Sequence, residues 1–308
     1  MAETPLPAPL PAPLPQRTRT AGAIYDLGYQ RYTGQRFGRI HAIRSLFRFS
    51  FNSAFGIGRG EKAKSMPALV MLAVYLPAVV QTALASMMGP AAMLTYAGYL
   101  QFTAFLLALF AASQAPELIV ADKQYGVLSL YLSRPLKATD YVLAKVAALS
   151  GAMLVITLGP QLVLFIGKIM IAKTPWAAFQ GEWTKLFPIL GGTLLTSLFV
   201  ASIGLLLASF ASRRGYASAA VIAFFILTPA VIEMFRSVTT GDVRRYAVLA
   251  HPVLLITGFA TWLFDVQAAR RSTVGRADLP GQLYMCVMLV VCAVCLAVLL
   301  RRYRRIEA

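Results

Sequence analysis

Long uncharged stretches, separated by short charged ones, dominate the chain. The longest contains no Asp, Glu, Lys or Arg over the 52 residues from Ser65 to Pro116. Because a membrane-spanning helix needs about 20 apolar residues, this stretch holds two spans, and Met88-Gly89-Pro90 marks the break between them. Further uncharged stretches cover 146–167, 186–212, 215–232, 246–264 and 279–300. The pattern predicts an all-α, polytopic membrane protein.

Six transmembrane helices fit this pattern best. They are predicted at roughly 66–88, 93–115, 143–167, 187–211, 216–235 and 280–300, within a transmembrane domain over 66–300. The stretch 246–264 is 19 residues long and could form a seventh span. Because His251-Pro252 and Gly258 interrupt it, we predict instead broken helices on the outward side before the last span, buried against protein rather than lipid.

Three segments precede the first span. Residues 1–20 repeat Pro, Leu and Ala and predict a disordered, Pro-rich tail. Residues 21–38 form an aromatic and basic cytosolic lead. Residues 39–58 predict an amphipathic helix that lies in the membrane interface, with packing on other protein as the alternative. Its apolar residues recur at steps of three and four: Ile40, Ile43, Phe47, Phe51, Ala54 and Phe55.

The charged residues are few and mostly basic. Hydrophobic residues make up 58% of the chain and charged ones 13%, about half the share of a soluble domain. If both termini are cytoplasmic, 20 Lys and Arg lie inside and 9 outside, as the positive-inside rule requires. We therefore attribute the net charge of +17 to this rule and to anionic lipid rather than to nucleic acid. The chain is therefore expected in a plasma membrane, with a basic cytosolic tail at 301–308.

No motif for catalysis or metal binding is recognisable in the sequence. A phosphate-binding Walker A loop needs Gly-x4-Gly-Lys-Ser/Thr, whereas Gly56, Gly58 and Gly60 form only G-x-G-x-G. The three cysteines all lie in the last apolar stretch and are expected to pack as small hydrophobes: Cys286, Cys292 and Cys295. We therefore expect no catalytic residue, no cofactor and no metal in this chain itself.

Glu233 ends the uncharged stretch 215–232 and lies within the span predicted at 216–235. It follows Thr228-Pro229, and Pro229 can bend the helix and shape a cavity wall. Because an ionisable group at membrane depth indicates function, Glu233 and Pro229 are candidates for a transport pathway. The alternative is that Glu233 sits at the outer interface, near Arg236.

A charged, proline-containing stretch lies between the second and third spans, with the sequence GVLSLYLSRPLKATDYVLAKV at 126–146. If it is helical, four apolar side chains share one face: Val127, Leu128, Tyr131 and Leu132. Gly126 can begin the turn, Pro135 ends the helix, and Thr139 can cap the next one. The result is a short apolar helix exposed on the cytosolic side, which predicts a protein partner.

This stretch resembles the membrane subunits of type-2 ABC transporters, in particular the branch of the nitrous-oxide-reductase maturation permease. The residues that carry the resemblance are Asp122, Gly126, Leu128, Leu130, Leu132, Ser133, Arg134, Pro135, Leu143 and Lys145. The sequence departs from the family pattern at Asp122-Lys123-Gln124, where a Glu-Arg-rich run is commoner, and at Ala144, where Gly is usual. The lead at 24–38 also resembles that of actinobacterial permeases.

The resemblance implies a permease of about residues 39–305, in which 39–58 is an elbow helix and 126–135 a coupling helix. The coupling helix would seat in a groove of a separate ATPase subunit that binds ATP and Mg²⁺. Further implied partners are a second copy of the chain or a related permease, and membrane lipid. The implied coupling residues are Asp122, Gly126, Val127, Leu128, Tyr131, Leu132, Ser133, Arg134 and Pro135.

The apolar spans suit export of an amphipathic or lipid-like substrate. Two other classes stay open at this point: a secondary transporter or channel that works without ATP, and a membrane scaffold protein. A secondary transporter usually carries ionisable groups near the membrane midplane and internal repeats. The sequence has no clear repeat, and its spans are nearly free of charge.

Overall fold

The computed structural model describes residues 38–89, 93–127, 131, 136–267 and 272–307. The predicted tail at 1–20 and the lead at 21–38 lie outside this part of the chain, apart from Gly38. The regular structure of the described residues is entirely helical, which confirms the all-α prediction. The α-helices are α1 (Arg39–Ala54), α2 (Glu61–Met88), α3 (Tyr96–Gln124), α4 (Ala138–Ile171), α5 (Pro175–Glu182), α6 (Leu186–Phe210), α7 (Arg214–Val238), α8 (Gly241–Tyr246), α9 (Pro252–Leu263), α10 (Thr273–Ala277) and α11 (Gly281–Glu307).

Six helical segments of the described chain are long and apolar enough to cross a membrane, as predicted. They are Ala63–Met88, Tyr96–Gln124, Ala138–Ile171, Pro175–Phe210, Arg214–Val238 and Gly281–Arg305. The interrupted stretch before the last span is broken at His251 as predicted, but the interruption expected at Gly258 is wrong, because Gly258 lies inside α9. Gly241–Ala250 and Pro252–Leu263 meet at an angle of 93°, and the chain would have seven spans if this bent pair were counted as one.

Local chemistry accounts for two of the helix starts. The Thr95 hydroxyl accepts a hydrogen bond from the Gly98 amide at 3.1 Å, which caps α3. At α9, Pro252 occupies the first turn and the preceding His251 Nδ1 accepts from the Leu254 amide at 3.1 Å. Residue His251 therefore ends one arm of the bent pair and caps the other.

The core of the bundle consists of α3, α4 and α6, which approach closely through small residues. A Cβ added to Gly204 of α6 would lie 3.1 Å from the Cβ of Ala111 in α3, so the two backbones are nearly in contact. Three alanines at four-residue spacing in α4 are also buried: Ala144, Ala148 and Ala152. Burial is uneven among the spans: 67% of the most apolar window is buried in Tyr96–Gln124 and in Pro175–Phe210, but only 11% in Arg214–Val238.

The helix α1 packs on α4 instead of standing apart from the bundle. Its buried residues are Leu46, Ser50 and Ala54. The Phe51 ring packs so close to Gly151 of α4 that a Cβ added to this glycine would lie 3.6 Å from it. Ile40, which we placed on the apolar face, is 82% exposed. One face of this helix therefore packs on protein, as the alternative proposes, whereas its placement in the membrane interface stays a prediction.

The predicted end of α1 at residue 58 is wrong, because the helix stops at Ala54. A tight turn follows, in which Gly56 and Gly58 have φ of 71° and 82°. Residues other than glycine rarely adopt such values, so the helix cannot continue through them. This turn connects α1 to α2.

Because successive spans run in opposite directions, the connections between them lie alternately at the two ends of the bundle. The α1 end carries α1, the connection from α3 to α4 and the connection from α6 to α7. The α8 end carries the connection from α2 to α3, helix α5, and α8 to α10. The three cysteines of α11 differ in exposure. Cys292 and Cys295 are buried, as expected for small apolar side chains that pack in the bundle, whereas Cys286 is exposed.

Candidate functional site at the α1 end

A buried ion pair joins the end of α3 to the start of α4, on either side of the predicted coupling segment. Lys145 Nζ lies 2.8 Å from Asp122 Oδ2, and the Tyr141 hydroxyl donates to the same oxygen at 2.8 Å. Lys145 is 1% exposed and Asp122 is 8% exposed. The resemblance singled out Asp122 and Lys145 separately, and the structure shows that they are each other's partners.

Aromatic rings surround this ion pair. The Tyr141 ring lies 6.0 Å from that of Tyr131 and 5.4 Å from that of Tyr303 in α11, measured between centroids. The ammonium group of Lys145 is 5.4 Å from the Tyr141 centroid, within the range of a cation–π contact. Tyr131, predicted as a coupling residue, therefore reaches back to the bundle, and α11 is connected to the same cluster.

A second ion cluster centres on Glu117, one and a half turns before Asp122 in α3. Its carboxylate lies 2.5 Å from Arg59, in the turn after α1, and 3.0 Å from Arg214, the first residue of α7. Arg214 also donates to the Tyr125 hydroxyl at 3.0 Å. One carboxylate thus links α1, α3 and α7, which sequence reasoning did not detect, because the three charges lie far apart along the chain.

Two further bonds tie the end of α3 to the end of α6 and to the connection that follows it. The Lys123 ammonium donates to the Ser209 carbonyl, and Gln124 Nε2 donates to the Ser212 carbonyl at 3.2 Å. The end of α3 is therefore held to four neighbouring elements, namely the turn after α1, α4, the end of α6 and the start of α7.

The two ion clusters line one cavity of about 350 Å³. Predicted coupling residues also line it, namely Asp122, Val127 and Tyr131. Gly126, at the edge of this site, has φ of 65° and follows the last turn of α3, as expected for a glycine that begins a turn. The cavity is thus the place where the ion pairs meet the beginning of the predicted coupling segment.

Much of the predicted coupling segment lies outside the described residues. This applies to Leu128, Leu132, Ser133, Arg134 and Pro135, so their helical structure stays a prediction. The expected cap at Thr139 is wrong, since α4 begins at Ala138. The Asp140 carboxylate accepts from the Lys137 amide at 3.1 Å instead, and Arg39 of α1 pairs with it at 2.7 Å.

The pathway candidates lie at the opposite end of the bundle. Glu233 pairs with Arg236 on the same helix, α7, at 2.8 Å, and its side chain is half exposed. A contact with Arg236 is what we expected if Glu233 lies at the outer membrane interface. Pro229 lies within α7 without ending it. A role of Glu233 and Pro229 in a transport pathway stays a prediction.

The family of the chain follows from a comparison with models of protein families. The model described as ABC-2 family transporter protein matches residues 28–308, which includes every helix described above. The chain belongs to the ABC-2 transporter family. It is therefore a multi-pass permease subunit of an ABC transporter, which is not catalytic by itself and is expected to act with an ABC ATPase subunit. A comparison with curated proteins finds no significant match.

Proposed function

We propose that residues 126–135 of this permease form a coupling helix that seats in a groove of the ATPase subunit. Hydrolysis of ATP with Mg²⁺ on that subunit would then drive transport through the permease. The observation that supports this most is the buried pair of Asp122 and Lys145, with Tyr141 on the same carboxylate, at the two ends of the segment. A segment held in this way can move α3 and α4 together when the ATPase subunit moves.

The Glu117 cluster supports the same proposal. Through Arg59 and Arg214, a displacement at the end of α3 would reach α1 and α7 without passing through flexible chain. Contiguous packed side chains and ion pairs that have two discrete arrangements can carry energetic coupling of this kind. The arrangement described here would be one of the two.

Further parts of the proposal concern the whole transporter. We propose a complex of two permease copies and two ATPase subunits in a bacterial plasma membrane, with both permease termini in the cytoplasm. The apolar spans suit export of an amphipathic or lipid-like substrate. The narrower kinship, with the branch of the nitrous-oxide-reductase maturation permease and with actinobacterial permeases, rests on the residues of the 122–145 stretch and the lead.

A charge on the predicted apolar face should disrupt coupling. With Leu128→Asp or Leu132→Asp, an unpaired carboxylate would be buried against the ATPase subunit, at a cost of several kcal/mol. We expect normal membrane abundance, with less co-purified ATPase subunit or with ATP hydrolysis uncoupled from transport. Arg134→Ala is the control, because a charge at the rim of an interface contributes about 1 kcal/mol or less.

The same three measurements, membrane abundance, co-purified ATPase subunit and hydrolysis by the complex, can contradict the proposal. If 126–135 packs on its own subunit, Leu132→Asp will lower folding and abundance. Low abundance, with normal association in the protein that survives, would show that the segment is not a coupling helix.

Cysteine labelling should show on which side of the membrane the N-terminal segment and the C-terminus lie. We expect single cysteines introduced near Glu61 and Glu307 to resist an impermeant thiol reagent in intact cells and to react after lysis. The native Cys286, Cys292 and Cys295 are removed in this background. The expectation follows from the 20-to-9 division of basic residues. Labelling at the Glu307 position in intact cells would instead indicate seven spans.

A further inference from the structure

Arginines from three elements line a cavity of about 610 Å³ at the α8 end. They are Arg236 of α7, Arg244 and Arg245 of α8, and Arg276 of α10. We propose that this cavity binds the phosphodiester headgroup of a phospholipid. The proposal depends neither on the coupling helix nor on the direction of transport.

The walls of the cavity are held in place by the protein itself. The side chain of Arg236 is 8% exposed, and besides pairing with Glu233 it directs Nε toward the carbonyl of Arg244 at 3.4 Å. Arg245 Nε donates to the Ala277 carbonyl at 2.5 Å, and the same guanidinium donates to the Asp278 carbonyl. These contacts connect α7, α8 and α10, so the arginines are positioned before any ligand binds.

Two of the four guanidinium groups are not held by other groups in the described part of the chain. Arg244 and Arg276 are exposed, and across the described ranges the structure records no hydrogen bond or ion pair for either side chain. A guanidinium presents a planar fork of N–H donors that matches two oxygens of a phosphate group. These two residues are therefore the expected ligands of the phosphate, while Arg236 and Arg245 hold the walls.

The charge balance of the cavity fits a singly charged phosphate. Asp242 and Asp278 line the cavity together with the four arginines, and Glu233 neutralises Arg236 from outside. Four positive charges against three negative ones leave one positive charge. A phosphodiester carries one negative charge, so it matches this balance better than a doubly charged phosphate monoester.

The surroundings of the cavity favour a lipid over a soluble phosphodiester. Each of three lining arginines has an exposed apolar or aromatic neighbour in the chain: Phe235 beside Arg236, Val243 beside Arg244, and Tyr246 beside Arg245. Val238, the last residue of the span α7, is 77% exposed. Tyr and apolar side chains next to basic ones are typical of the membrane interface, where headgroup and acyl chain meet. The expected occupant is a phospholipid of the leaflet at the α8 end.

Photo-crosslinking can measure binding at this site separately from lipid bound elsewhere. The full permease, purified with its ATPase subunit, is labelled with a photoreactive phosphatidylglycerol, and the yield on the peptide that contains α8 is followed by mass spectrometry. Unlabelled phosphatidylglycerol should compete in a saturable way, whereas diacylglycerol with the same acyl chains and soluble glycerophosphoglycerol should compete poorly. Arg244→Gln with Arg276→Gln should weaken the apparent affinity by about tenfold or more, because charge-assisted hydrogen bonds are lost.

The control variant removes the same number of positive charges, two, from the α1 end of the bundle. Arg213 and Arg301 are exposed there, and Arg213→Gln with Arg301→Gln should leave the labelling of α8 within about twofold of the unmodified protein. If the double variant at the cavity cannot be purified, Arg276→Gln alone is measured. Three results would overturn the proposal: equal competition by diacylglycerol, equal competition by glycerophosphoglycerol, or the same affinity loss in the control as in the cavity variant.

Discussion

Asp122→Asn should destabilise the permease more than removal of both charges of its buried pair. In the single variant the ammonium group of Lys145, which is 1% exposed, loses the carboxylate that lies 2.8 Å away and keeps its buried charge. Breaking a buried ion pair at one side costs about 3–5 kcal/mol, whereas replacing both partners with apolar residues is often neutral. We therefore expect Asp122→Leu combined with Lys145→Met to be closer in stability to the unmodified protein than either Asp122→Asn or Lys145→Met alone.

Thermal and denaturant unfolding of the purified protein in detergent would measure these differences. The matched control is Arg39→Gln, which removes another ion pair at the α1 end, with Asp140. Because Arg39 is exposed, we expect a much smaller effect. Additive losses in the double variant would contradict the prediction, since they would mean that Asp122 and Lys145 contribute independently. If the pair also transmits motion, the double variant should fold but hydrolyse ATP without transport.

Gly56→Ala should disrupt the turn between α1 and α2 strongly, and more than Gly58→Ala does. Both glycines have positive φ, and the left-handed region costs other residues about 1–2 kcal/mol. Only at Gly56 would the new Cβ also overlap backbone, 2.6 Å from the carbonyl oxygen of Ala63. Forced overlap adds about 1–3 kcal/mol, so Gly56→Ala should lose roughly twice as much as Gly58→Ala.

Gly58 is a close control, because it shares the backbone conformation and a Cβ there meets nothing within 4 Å. The difference between the two unfolding free energies isolates the overlap. Equal losses at both positions would mean that the turn relaxes, and that α1 is not held rigidly against α2. A large loss at Gly56 would support the view that the position of α1 is fixed by this turn.

The spans could be predicted from the sequence because the lipid interior disfavours charged side chains along the whole length of a span. Absence of charge over about 20 residues was sufficient to find six helices, and His251-Pro252 was sufficient to find the break between the two arms of the bent pair. The end of α1 was missed because the apolar period continues to Phe55, while the conformation of Gly56 ends the helix. The cap of α4 was missed because the helix begins at Ala138, so Thr139 already lies in its first turn, and the Asp140 carboxylate accepts from the Lys137 amide instead.

The chemistry of the site was only partly predictable. The resemblance selected Asp122 and Lys145, and the structure places them together with Val127 and Tyr131 around one end of the bundle. Neither periodicity nor composition could show that Glu117 holds two arginines from opposite parts of the chain. Such pairings depend on how the helices pack, and packing among apolar spans leaves little trace in the sequence.

The unequal burial of the spans has a consequence for how this protein can change during evolution. In Tyr96–Gln124 and Pro175–Phe210, where most of the apolar window is buried, Gly204 and Ala111 leave no room for larger side chains. Substitutions there must preserve shape. In Arg214–Val238, only 11% of the window is buried, so contacts within the chain demand little beyond hydrophobicity. Homologous chains should therefore exchange Leu, Ile, Val and Phe freely along this span. Strict retention of particular side chains on its outer surface would identify a second protein surface pressed against it.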